Sequence, residues 1–126
     1  MWLWRVIYSI NICMKFPIIE IVDRYCIAVV KSVKTNNANA EEVKFYSDQM
    51  DEAGIPKLHS LIQQLIQHHE YVWSLEDDFK KAKIDALPLE EIGRRALHIR
   101  DIGYIRLKLK NDLAELFDDP VREVKQ

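Results

Sequence analysis

The sequence predicts an all-α fold: a long antiparallel helical hairpin over residues 56–84 and 88–117, with two shorter N-terminal helices packed on it. Three observations predict it. Apolar residues recur at three- and four-residue intervals through most of the chain after Met14. The 126 residues include only 3 Gly and 4 Pro, which disfavours a β fold with many tight turns. The two longest periodic segments are separated only by a short "KIDALP" connection, which sets consecutive helices antiparallel. At 48% hydrophobic residues the chain can build a core, and its length suits one domain, assigned to residues 14–118.

The first helix opens near Pro17, where a missing N–H is no loss. It turns Ile18, Ile21, Val22, Tyr25, Ala28, Val29 and Val33 inward, with Glu20 and Arg24 spaced to pair on the outer side. "TNNAN" ends it. Asn39, with Glu42 three residues on, has the form of a capping box for the second helix, which carries Val43, Tyr46 and Met50 inward and stops at Gly54. Pro56 opens the third helix, whose apolar positions from Leu58 to Phe79 form a stripe wider than a two-helix seam requires. Pro88 opens the fourth. Each long helix would extend about 45 Å at 1.5 Å per residue, and a hairpin of that length needs the first two helices, or a second copy, to cover it. Residues 119–126 read as a flexible, solvated tail.

The first thirteen residues, MWLWRVIYSINIC, alternate like a strand, are too short to span a bilayer and lack the layout of a secretory signal. The reading adopted is that Met14 is the natural start and residues 1–13 are a non-native or mispredicted extension. An amphipathic segment that docks on the domain or a membrane surface is the alternative. No transmembrane segment is expected. Cys13 and Cys26 lack metal-binding or redox spacing, which suits reduced thiols in a cytoplasmic protein.

Charge is the puzzle of the fourth helix, where "LEEIGRRALHIRD" sets arginines among core positions. A heptad register puts Arg95 and Arg106 on the apolar rows, and His69 and Glu76 fall inside the stripe of the third helix. Folding the hairpin about residue 86 brings Glu76 opposite Arg95 and sets Arg106 one turn from His69. These four residues are the candidate buried polar network, with Glu76–Arg95 expected to fix the register at a desolvation cost of several kcal/mol per ion. Gly93 and Gly103 are expected to mark close packing.

Other chemistry is weakly supported. Glu76, Asp77 and Asp78 are sequential acids with no facing acidic motif, His68 and His69 point apart on a helix, and no phosphate loop or nucleophile motif is present. No metal, cofactor or catalytic residue is assigned. The formal net charge is −2, and the basic residues of the last helix spread around it instead of lining one side, so nucleic acid is an unfavoured partner.

Three motifs remain: "EIVDRYCI", "WSLED" and "EIGRRALHIRD". They resemble a family of short helical proteins from tailed phages of marine cyanobacteria, related to a bacterial domain found beside sugar-biosynthesis genes. The likeness runs from about Lys15 to Val124. It maps the family motifs onto Glu20, Asp23, Arg24, Ile27, Trp73, Glu76, Asp77, Glu91, Arg94, Arg95, Arg100 and Asp101, and departs at Gly103–Tyr104, where the family carries a polar residue or asparagine. The resemblance implies a helical fold and a phage source, hence a host cytoplasm, and it carries no activity.

The functional expectation is an interaction or assembly module, a homodimer or the binder of an unknown protein. Its rival is a small all-α enzyme, chorismate-mutase-like through Arg24, Arg95, Arg106 and Glu76, or nucleotide-pyrophosphatase-like through its acids; a nucleic-acid accessory protein is third.

Overall fold

The computed structural model describes residues 17–81 and 86–119. Four helices follow one another: α1 (Ile18–Lys34), α2 (Ala40–Glu52), α3 (Ser60–Lys81) and α4 (Leu89–Leu116). The fold is all-α, with no strand among the described residues. Helices α3 and α4 pack on each other as an antiparallel hairpin, α1 crosses its base against both, and α2 packs on α1. Residues 1–13, the predicted helix end at 84 and residues 120–126 lie outside the described residues.

The ends of three helices follow from backbone chemistry. After α1, α2 and α4, the residue following the cap takes a positive φ: Asn36 at 52°, Gly54 at 70° and Asp118 at 56°. The next N–H then reaches back over the last turn, from Asn37 to Ser32 O at 2.8 Å, from Ile55 to Met50 O at 3.0 Å and from Asp119 to Ala114 O at 2.7 Å. These bonds satisfy carbonyls that a helix end leaves unpaired. Glycine takes that conformation freely, while asparagine and aspartate tolerate it better than other side-chain-bearing residues.

Several local expectations are corrected. Helix α3 starts at Ser60, not Pro56, because residues 56–59 form a turn closed by His59 N–H to Pro56 O at 3.1 Å. The His59 ring then caps the helix, its Nδ1 accepting from Leu61 N–H at 3.1 Å. Asn39 makes no side-chain cap bond. Its amide instead donates to Ala28 O of α1 at 3.0 Å, tying the α1–α2 corner together. On α1 Ile21, Val22 and Ala28 are buried as expected, Ile19, Asp23, Cys26 and Val30 are buried beside them, and Val33 is exposed. A Cβ at Gly93 would meet nothing within 4 Å, so no close helix approach explains that glycine. Asp119, expected in a solvated tail, is instead buried, and its carboxylate accepts the Ile19 N–H at 3.3 Å, closing the start of α1 onto the end of α4.

The core sits at the base of the hairpin. Ile21, Val22 and Cys26 of α1 meet Met50 of α2, Ile55, Ile62 and Leu65 of the α3 arm, and Leu109 and Leu113 of α4. Full burial of such side chains contributes roughly 1.5–3 kcal/mol each. Nearer the tip the picture changes: among the described residues of 70–80 and 89–101, none is fully buried.

Candidate functional site

Charged side chains meet where α1 crosses the hairpin. Asp23 points inward from the apolar face of α1 and is 2% exposed. Arg106 of α4 donates to it twice, through Nη2 to Oδ2 at 2.5 Å and Nε to Oδ1 at 3.3 Å. His69 of α3 brings Nε2 to 2.7 Å from Oδ1. An ionised carboxylate only accepts, so that nitrogen carries the proton. Lys110, one turn beyond Arg106 and 1% exposed, sets its Nζ 3.0 Å from Glu20 Oε1 and 3.8 Å from Asp23 Oδ2. One carboxylate thereby ties α1 to both helices of the hairpin.

Burial by itself would raise the Asp23 pKa. The hydrogen bonds from His69 and Arg106, with their positive charge, outweigh it and hold the carboxyl well below the usual carboxylate range. A carboxylate so satisfied is a clamp and a poor proton acceptor. His68, also buried, is pushed down by burial first and then by His69 and Arg106. Burial pushes the Cys26 thiol up; it donates to Ile62 O at 3.8 Å and has the character of an inert core thiol.

The predicted network is only half assembled. His69 and Arg106 come together, through Asp23. Glu76 and Arg95 do not join them: Glu76 is exposed, and Arg95 Nε donates to Glu91 Oε1 of its own helix at 2.9 Å. The reason lies in the two sides of the α3 stripe. Glu76 continues the row of Ile62, Leu65 and His69, which α1 covers at the base; α1 does not reach the level of residue 76, so that row opens to solvent. The other motif residues form surface pairs. Arg94 also bonds Glu91, and Arg100 Nη2 lies 2.9 Å from Asp101 Oδ1. Arg24 is exposed on α1, while Trp73 and Asp77 are half-buried on α3. Arg24, Arg95, Arg106 and Glu76 do not converge on one cavity, so the chorismate-mutase-like arrangement is not assembled. Among the described residues no group of three or more His, Cys, Asp or Glu is positioned for a metal ion, and no helix is long and apolar enough to cross a membrane.

Lys110 and Asp119 escaped the sequence reading, and Asp23 entered it only as a motif residue. Asp23 carried a signal: it is an acid inside the stripe Ile19, Val22, Cys26, Val30. Lys110 follows Arg106 by one turn, on the face that meets α1.

A second feature lies on the hairpin beyond the level that α1 covers. Toward the tip, Leu75, Asp78 and Phe79 of α3 and Glu91, Arg94, Arg95, His98 and Ile99 of α4 line an open cleft of about 210 Å³. Tyr71 continues the α3 side, its hydroxyl 2.9 Å from His98 Nε2 and its ring edge-on to the imidazole. Ile105 and Leu116 continue the α4 side at helical spacing from His98. Tyr71, Ile105 and Leu116 are 48%, 51% and 51% exposed. In comparison with known proteins, no family model, no curated protein and no solved structure matches this chain.

Proposed function

We propose that this chain is a protein–protein interaction module that works through the hairpin face that carries this cleft. The observation that carries the reading is the set of half-exposed apolar side chains on α3 and α4, Tyr71, Ile105 and Leu116, together with the cleft lined by Leu75 and Phe79. Apolar surface of this kind, rimmed by charged groups, is characteristic of protein contact sites. The buried charges elsewhere support the same reading, because Asp23, Arg106 and Lys110 are engaged with one another and hold helices together. Buried free Cys26 favours a reducing, cytoplasmic setting. An origin among the phage proteins its motifs resemble belongs to the same proposal.

Site-specific photo-cross-linking tests it. Benzoylphenylalanine at Ile105 or Leu116, in cells that make the protein naturally, gives a discrete protein adduct. The same probe at Phe45 of α2, also exposed, gives none. Equal labelling at all three positions, or no adduct from the hairpin face, rejects the reading.

A further inference from the structure

Charges of both signs enter the cleft, and Glu91 of α4 bonds both Arg94 and Arg95 beside it. Asp78 and Arg94 both line the cleft, one from each helix. A two-fold axis parallel to the hairpin, passed in front of this face, lays α3 of one copy over α4 of another at the same level. Asp78 of one copy then meets Arg94 of the other twice, once in each direction.

Resting on the reading of this face as an interaction surface, we infer that its partner is a second copy of this chain, docked so that Asp78 of each copy faces Arg94 of the other. The apolar contribution comes from Tyr71, Leu75 and Ile105. The existing Arg94–Glu91 bond does not oppose this. It is an exposed pair within one helix, of a kind that contributes little to stability, and a guanidinium has donors enough to keep it while meeting a second carboxylate. Reciprocal opposite charges around an apolar centre favour this pairing over like-charged stacking of α3 on α3.

Sedimentation velocity on the full chain at 50–150 mM salt tests the inference, with circular dichroism to show that each variant keeps its helices. The wild type is expected to be a dimer with a dissociation constant on the order of micromolar, as for a small transient interface. Asp78→Lys and Arg94→Glu each weaken self-association by about tenfold, since each turns two attractions into two repulsions. An equimolar mixture of the two variants recovers wild-type affinity within about threefold, because the substituted positions now meet with opposite charge. A wild type that stays monomeric at hundreds of micromolar overturns the inference; so does a dimer indifferent to both variants, or a mixture no better than its components. A cross-link from Ile105 to a different protein, with the purified chain monomeric, removes the second copy as partner and leaves the interaction surface intact.

Discussion

Asp23 sits inside an apolar stripe, where an unpaired carboxylate is unfavourable by several kcal/mol. Its position is tenable because Arg106 and His69 hydrogen-bond it from two different helices and Lys110 stands 3.8 Å away. The three partners are not equivalent. Arg106 and His69 bond the carboxylate directly, while Lys110 bonds Glu20, whose side chain remains 37% exposed. Asp23→Asn should therefore destabilise the fold by about 2–4 kcal/mol, since it leaves the buried Lys110 ammonium without its nearest deep counter-charge. Lys110→Met, similar in volume, should cost under about 1 kcal/mol. Urea melts of both variants measure this. The pH dependence has a definite sign. The folded-state pKa of Asp23 is depressed, so its contribution is full above the unfolded value near 3.9 and disappears as pH falls. The gap between wild type and Asp23→Asn should begin to shrink near pH 5 and keep closing toward the folded value. A gap that is constant from pH 7 to pH 3, or Lys110→Met matching Asp23→Asn, would show that the clamp is assigned to the wrong pair.

Helix α4 illustrates how an element's pattern can be read correctly in one dimension and wrongly in another. Gly93 stands in the first turns of a 28-residue helix, where glycine is unfavourable by about 1 kcal/mol relative to alanine. Open space surrounds it, so Gly93→Ala should stabilise by about 0.5–1 kcal/mol, read as a higher melting temperature; a loss of stability would mean that something presses on that face. The level of each residue along the hairpin was legible from the short connection alone: Tyr71 meets His98, and a fold about residue 86 gives nearly that register. Azimuth was not legible. The width of the α3 stripe reflects two different neighbours, α4 along one row and α1 along the other, and only at the base. Period and spacing report how wide a stripe is, but not where a crossing helix ends. The spacing thus places Glu76 in a core that stops about two turns short of it. His69 and Arg106 were found because they lie on the same rows at the level that α1 does reach.

At the scale of the whole molecule, two structural regimes share one hairpin. The base holds the whole apolar core, the Asp23 clamp and the Asp119 closure, with α1 and α2 layered on it. The arm, residues 70–80 and 89–101, is two helices with no fully buried described side chain. Isolated helices shorter than about 12–15 residues are marginal in water, so the arm depends on its contact with the base and on whatever closes over its face. The helical class, the hairpin and the attachment of two short helices were all readable from apolar spacing. Which face remained open was not, because that depends on where α1 crosses, which long-range contacts such as Asp23–Arg106 decide. Local unfolding should follow the same division, with the arm opening at lower free energy than the base.

Amide hydrogen exchange across a dilution series tests this division most directly. In dilute solution, amides of α1 and of residues 60–69 and 106–116 should exchange only through global unfolding, while those of 70–80 and 89–101 exchange much faster. Raising the protein concentration should slow exchange in the arm alone. Protection in the arm equal to that of the base at the lowest concentration, and unchanged on concentrating, would contradict the account.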